Sequence, residues 1–87
     1  MRAFNTVPAE VMINPRFGEG RASTFVCADD RIARVTVVRL ARDIGFDAVD
    51  AGPLESACSI DRLLAVWRVL AFDAGLGRNV TFQLLRR

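Results

Sequence analysis

The sequence predicts an α/β fold with a small, mainly parallel sheet, and three consecutive segments lead to this prediction. An apolar run rich in β-branched and aromatic residues, 22–28, precedes a helical period over 30–44 and a second short apolar run, 46–50. Because strand, helix and strand follow one another, the strands should be parallel and joined by a right-handed crossover. A long, largely apolar helix is expected after the second strand.

The residues before the first of these strands predict short elements. Arg2 to Thr6 is compatible with a strand that opens into a loop. Pro8 can occupy the first turn of a helix of one to two turns, and Pro15 ends that helix because it restricts the residue before it. Residues 16–21 contain two glycines and three charges, and we expect a mobile surface loop there.

The crossover helix has recognisable ends and two distinct faces. An aspartate at Asp29 or Asp30 can accept hydrogen bonds from the first free amides, and Gly45 is the expected carboxyl cap. The face expected to meet the sheet carries apolar residues at helical spacing, namely Ala33, Val37, Leu40, Ala41 and Ile44. The opposite face is expected to be a solvated basic surface, formed by Arg31, Arg34, Arg39 and Arg42.

The last predicted helix spans about 55–73, before Gly75. Between Leu63 and Phe72 its only charged residue is Arg68, so the helix is apolar nearly all round and should be buried on more than one side. A chain of 87 residues has few other segments that could cover the helix on a second side. We therefore expect a homodimer through the Leu63 to Phe72 helix, followed in the chain by a last short strand over 79–85.

Composition excludes several classes of function. The formal net charge is +2, with acidic and basic residues interspersed, which gives little support to nucleic-acid binding. The absence of histidine removes Ser-His and Cys-His catalysis and the commonest zinc ligand. Cys27 and Cys58 lack metal-ligand spacing and are expected to be reduced thiols. No run approaches the roughly 20 apolar residues of a membrane span, so we expect a soluble cytoplasmic protein without a metal site.

Two short segments follow predicted strands and are the candidate ligand-binding residues. Both lie where ligands bind in open α/β sheets, outside the carboxyl ends of the strands. From the residues alone, another interpretation stays open, in which the first segment caps the next turn and the second makes a tight connection. The candidates are Asn5, Thr6, Val7, Pro8, Gly52, Pro53 and Leu54.

The glycine-rich turn that holds the phosphates of a dinucleotide is absent from these residues. Gly18 and Gly20 are the nearest approach, but Ser23 stands where the third glycine should be and a strand follows instead of a helix. A P-loop is also excluded, because the sequence contains no lysine.

Several segments, which occur in the same order along the chain, resemble the NADP-dependent deazaflavin-coenzyme reductase family. They are AFNTVPAE at 3–10, FVCADD at 25–30, GFDAVDAGPL at 45–54, and the closing GLGR and FQLLRR at 75–78 and 82–87. A more distant resemblance is to the cytosolic oxidoreductase domain of six-transmembrane metalloreductases. The sequence departs from the family after the Gly-Pro-Leu turn, where Cys58 and Ser59 stand before Ile60 in place of an arginine and an acidic residue.

The resemblance implies that residues 1–87 form a single partial domain, the carboxyl-terminal half of a Rossmann-like NAD(P)-binding fold without its glycine-fingerprint half. In that family hydride passes between the nicotinamide of NADP and a flavin-like or deazaflavin ring. Asn5 to Pro8 and Gly52 to Leu54 would then form two walls of the cleft, and this chain would supply acceptor-side and oligomer contacts.

Catalytic competence is left open by the sequence. We expect inactivity without a nucleotide-binding half, which a separate chain could supply. The alternative is a noncatalytic dimeric remnant or accessory module that binds no nucleotide.

Overall fold

The computed structural model describes residues 1–87 and contains four short strands and three α-helices. In chain order these are α1 (Ala9–Ile13), β1 (Arg16–Phe17), β2 (Gly20–Arg21), β3 (Ser23–Val26), α2 (Arg31–Ile44), β4 (Asp47–Asp50) and α3 (Ala57–Arg68). A 3-10 turn at Leu54–Ser56 precedes α3, and a π-helical turn at Val69–Asp73 extends it.

The strands β3 and β4 form the predicted parallel pair, with α2 as the crossover between them. Their register runs from Ser23 opposite Asp47 to Val26 opposite Asp50. The side chain of Asp30 accepts hydrogen bonds from two amides of the first turn of α2, and Gly45 ends the helix at a φ of 117°. The predicted α/β class with a parallel sheet is therefore confirmed.

The core lies between α2 and the parallel pair. It consists of Val11, Ala22, Val26, Val38, Ala41, Phe46 and Ala48. Of the five apolar residues expected to face the sheet, only Ala41 is buried, whereas Leu40 and Ile44 are 56% and 51% exposed. The face that meets the sheet is narrower than predicted and lies at Val38 and Ala41, because a two-stranded sheet covers only a narrow stripe of a helix.

Two of the four arginines expected on a solvated face instead reach the sheet. Arg34 donates from Nη1 to the carbonyl oxygen of Ala28 at 2.7 Å. Arg42 donates from Nη2 to the carbonyl oxygen of Ala48 at 3.2 Å. Long arginine side chains can lie along the protein surface while their charged ends find acceptors, and here those acceptors are backbone carbonyls.

Residues 16–21 form a β-hairpin, where the sequence predicted a mobile loop. Arg16 pairs with Arg21, and Phe17 pairs with Gly20. The amide of Ala22 donates to the carbonyl oxygen of Pro15 at 2.8 Å, which closes the base of the hairpin. The glycines therefore belong to a tight turn between two paired strands, and they do not indicate an unpaired loop.

Both predicted terminal strands are wrong as strands, although each lies beside β3. Arg2 exchanges two backbone hydrogen bonds with Cys27, but the extended segment ends at Phe4, whose φ is +62°. At the other terminus Phe82 accepts one backbone hydrogen bond from Ser23. The next amide, that of Leu84, bonds to the Ser23 hydroxyl instead of to the backbone, so no ladder forms.

The last helix is buried on one side within the chain. Trp67 is 5% exposed, and its indole nitrogen donates to the carbonyl oxygen of Val80 at 2.8 Å. Val66, Val69 and Phe72 are about half exposed, at 49%, 52% and 55%. The burial on more than one side that the sequence predicted is therefore not achieved by this chain alone. None of the helices has the length and apolar character needed to cross a membrane.

Candidate functional site

Both candidate segments are attached to the carboxyl end of β3. Cys27 exchanges backbone hydrogen bonds of 2.9 and 3.0 Å with Arg2, just before the first segment. The amide of Ala28 donates to the carbonyl oxygen of Gly52 at 3.0 Å, and the Asp29 carboxylate accepts from the amide of Leu54 at 3.0 Å. No hydrogen bond joins the two segments directly, so residues 27–29 position them relative to each other.

The first segment begins with a strained residue that the core holds in place. Phe4 has a φ of +62°, in the left-handed region that bulky residues rarely adopt. Its amide donates to the Thr24 hydroxyl at 3.2 Å, its carbonyl accepts from Val7, and its ring centroid lies 5.4 Å from that of Phe46. Strain of this kind persists where the surroundings enforce it, and it is concentrated at functional sites.

Asn5 follows this strained residue and is oriented by α3. Its Nδ2 donates to Oδ1 of Asp61 at 2.6 Å, and Arg2 lies 3.6 Å from the other oxygen of that carboxylate. The Asn5 Oδ1 atom is buried and has no hydrogen-bond partner, which is uncommon in a native structure. Thr6 is also buried, at 4% exposure.

Asp61 therefore contacts the first candidate segment, although it was not among the candidate residues predicted from the sequence. No motif could have indicated its role, because Asn5 and Asp61 are 56 residues apart. The only available signal was its position near the start of the helix that follows the second candidate segment.

The second segment is open at its glycine. Gly52 has a φ of +84°, and no atom lies within 4 Å of the position that a Cβ would take. Its amide donates to the Asp50 carboxylate at 2.8 Å. This hydrogen bond, together with the Arg34 guanidinium, holds the pKa of Asp50 below its usual value. Leu54 is 39% exposed and adds an apolar surface beside the open glycine.

The charges around the two segments decide which kind of ligand they could contact. Four carboxylates lie next to the segments or bond to them: Asp29, Asp50, Glu55 and Asp61. Asp50 and Asp61 have arginine partners, Arg34 and Arg2, so the negative charge that disfavours phosphate comes from Asp29 and Glu55. Amide, hydroxyl and apolar groups suit an uncharged ring instead. No group of three or more acidic or cysteine side chains is placed to hold a metal ion.

The parallel pair, its crossover helix and the position of these segments define a fold class, that of the Rossmann-like α/β folds. The chain superposes over 97% of its length on 38% of an F420-dependent NADP reductase from Arthrobacter sp. FB24, with a TM-score of 0.84 and 32% sequence identity. This agreement confirms the resemblance found in the sequence.

The chain is also similar in sequence to curated metalloreductases. Metalloreductase STEAP3 of Rattus norvegicus is 36% identical over 87 residues, covering 94% of this chain and 17% of the relative. Metalloreductase STEAP2 of Mus musculus and of Homo sapiens is 32% identical over 73 residues, which is 78% of this chain. No family model matches the sequence. The chain spans less than a fifth of the length of these metalloreductases.

Proposed function

We propose that this chain supplies one wall of the reaction cleft of an NADP-dependent oxidoreductase that transfers hydride between nicotinamide and a flavin-like or deazaflavin ring. The observation that carries the proposal is the attachment of both candidate segments to residues 27–29 at the carboxyl end of β3. The sequence and fold shared with reductases support it. The nature of the acceptor ring follows from the family resemblance.

Hydride transfer depends on alignment of two rings more than on acid-base groups, so the residues of this chain bind and orient. NADP, when bound, supplies or receives the hydride. The strained turn at Phe4 fixes the backbone of Asn5 to Pro8, and the hydrogen bond to Asp61 fixes the Asn5 side chain. The open space at Gly52 lets a flat ring approach the backbone closely, with Leu54 as an apolar neighbour.

The residues of this wall fit the nicotinamide ring, which is uncharged in NADPH and cationic in NADP⁺, and do not fit the phosphates. A carboxylate contacts each segment, and no glycine-rich turn leads into a helix beside them. The phosphates would therefore be held elsewhere, for instance by a separate nucleotide-binding half. It follows that removal of the phosphates should cost little affinity at this wall.

The test compares two nicotinamide ligands on the 87-residue chain by calorimetry and adds one competitor that lacks the nicotinamide ring. We expect saturable binding of NADPH and of reduced nicotinamide riboside, which carries the ring and no phosphate, with comparable affinity. Adenosine 2′,5′-bisphosphate, which lacks the ring, should displace neither. Absence of binding by either nicotinamide compound would contradict the proposal and favour the noncatalytic module that binds no nucleotide.

A matched pair of glycine variants separates contact with the ring from backbone strain. Gly52→Ala and Gly77→Ala both place a methyl group at a positive φ, 84° and 82°, with no atom within 4 Å. Their folding costs should therefore be similar. Only Gly52→Ala should weaken binding of reduced nicotinamide riboside, because its methyl group occupies the space open to the ring. Equal affinities for the two variants would contradict this placement.

We also propose that a second copy of this chain covers the exposed side of α3, consistent with the homodimer expected from the sequence. The half-exposed side chains of Val66, Val69 and Phe72 form this surface, and association would remove them from water. Val69→Asp should convert the dimer to a monomer in sedimentation experiments. Leu85→Asp, at a residue that is 80% exposed elsewhere, should leave the dimer intact, and an unchanged mass for Val69→Asp would refute the proposal.

A further inference from the structure

A groove of about 250 Å³ lies between α2 and β4 and contains none of the residues of the cleft wall. Its lining residues are Val35, Val38, Arg39, Arg42 and Asp50. The four residues from α2 are spaced at i, i+3, i+4 and i+7, which places them on one face of the helix. Apolar and basic side chains are thereby brought together at the outer side of the parallel pair.

The two arginines of the groove have unused hydrogen-bond donors. Arg39 takes part in no ion pair and no internal hydrogen bond. Arg42 uses one donor on the carbonyl oxygen of Ala48, which holds its guanidinium against β4 and leaves its other N–H groups free. Arg42 is therefore held against β4, whereas Arg39, three residues earlier on the same helix, can use all its N–H donors to bind a ligand.

The carboxylate in the groove is already neutralised from its other side. Asp50 lies 2.8 Å from Nε of Arg34 and accepts a hydrogen bond from the Gly52 amide at 2.8 Å. Arg31 is also close enough to lower the pKa of Asp50. Asp50 therefore needs neither Arg39 nor Arg42 as a partner. The charges in the groove that lack a counter-charge are the two positive guanidinium groups.

The remaining lining is apolar. Val38 is 7% exposed and packs into the core, whereas Val35 is 41% exposed beside the two guanidinium groups. Guanidinium groups bind carboxylate and phosphate oxygens through paired N–H donors. The volume lies just below the roughly 300–1,000 Å³ of drug-sized ligand sites, so a compact ligand fits best.

We propose that this groove binds a small organic anion, whose carboxylate or phosphate group contacts Arg39 and Arg42 and whose apolar body rests on Val35. The site is separate from the cleft wall, and its ligand is recognised by its oxyanion and not by a nicotinamide ring.

The experiment uses four probes on the intact 87-residue chain, followed by calorimetry and by the NMR signals of the arginine side chains. Phenyl phosphate should bind more tightly than inorganic phosphate, because its ring contacts the apolar floor. Benzoate distinguishes a carboxylate preference from a phosphate preference. Benzyl alcohol, which has the ring and no charge, should not bind, and added salt should weaken phenyl phosphate binding.

Two arginine variants separate a defined groove from diffuse surface charge. Arg39→Gln should weaken phenyl phosphate binding by about tenfold, in line with loss of charge-assisted hydrogen bonds. Because Arg39 has no internal partner, the variant should fold normally. Arg68→Gln, at an exposed arginine of α3 without an ion pair, should bind as the wild type does. Equal effects of both variants, no effect of Arg39→Gln, or no saturable binding at millimolar concentration would overturn the proposal.

Discussion

The carboxylate of Asp29 accepts a hydrogen bond from the backbone amide of Leu54 at 3.0 Å, across 25 residues of sequence. This contact ties the loop after β3 to the turn after β4. The neighbouring hydrogen bond from Ala28 to Gly52 has the same effect. Together they turn two separate loops into one edge of the sheet, on which the proposed cleft wall depends.

Asp29→Ala should loosen this edge and lower the free energy of unfolding by about 1 kcal/mol, the usual net contribution of one hydrogen bond. Urea unfolding would measure the change. Asp29→Asn keeps an acceptor oxygen and should recover most of the loss. Asp73→Ala, which removes an exposed carboxylate without a hydrogen-bond partner, serves as the control. An unchanged stability in Asp29→Ala would show that the contact is dispensable.

Asp30→Ala should destabilise α2, because the Asp30 carboxylate accepts hydrogen bonds from the amides of Ile32 and Ala33 at 2.9 and 3.3 Å. Loss of such a cap costs about 1 kcal/mol. Thermal unfolding followed by circular dichroism would detect it. Asp30→Asn, which also caps well, should be close to the wild type, and equal losses in both variants would argue for a charge effect instead of a cap.

Gly45→Ala should destabilise the fold more than Gly77→Ala does. Both glycines have a positive φ, but a Cβ at Gly45 would also lie 3.3 Å from Cγ of Pro15, whereas Gly77 has open space. The positive φ alone costs roughly 1–2 kcal/mol for a residue with a side chain. The difference between the two variants in urea unfolding therefore measures the contact with Pro15 together with the larger φ of Gly45, 117° against 82°. A zero difference would mean that Pro15 moves aside freely.

Asp50 should contribute to acid sensitivity, since its pKa in the folded protein is lowered from an ordinary value of 3.8, chiefly by the Gly52 amide and then by Arg34. A carboxyl with a lowered folded-state pKa stabilises the fold above its unfolded pKa, and this contribution is lost as pH falls through the folded pKa. Stability measured from about pH 5 to about pH 2 should thus fall less steeply in Asp50→Asn than in the wild type. Parallel pH profiles for the two proteins would contradict this assignment.

The central βαβ unit could be predicted from the sequence because its signals are local. The cap at Asp30, the period of α2 and the carboxyl cap at Gly45 each act within a few residues. The resemblance to reductases also depended on short segments that occur in the same order along the chain. These local signals agree with the structure because the conformational preferences of the short segments are consistent with the overall fold.

The errors arose where long-range contacts or unusual backbone angles decide the outcome. The positive φ of Phe4 ends the first predicted strand, and its cause is the fit of the turn to Thr24 and Phe46. The Ser23 hydroxyl takes the amide that a closing strand would have paired. Asp61 joins the site through Asn5, 56 residues away. None of these contacts leaves a pattern in the sequence.

The most direct test of the cleft wall is an amide ¹H–¹⁵N map of the 87-residue chain during titration with reduced nicotinamide riboside. We expect the amides of Asn5, Thr6, Val7, Gly52 and Leu54 to shift together along one saturation curve, while those of α1 and the hairpin stay in place. Shifts confined to other elements, or shifts in only one of the two segments, would contradict the claim that both form a single nicotinamide-binding wall.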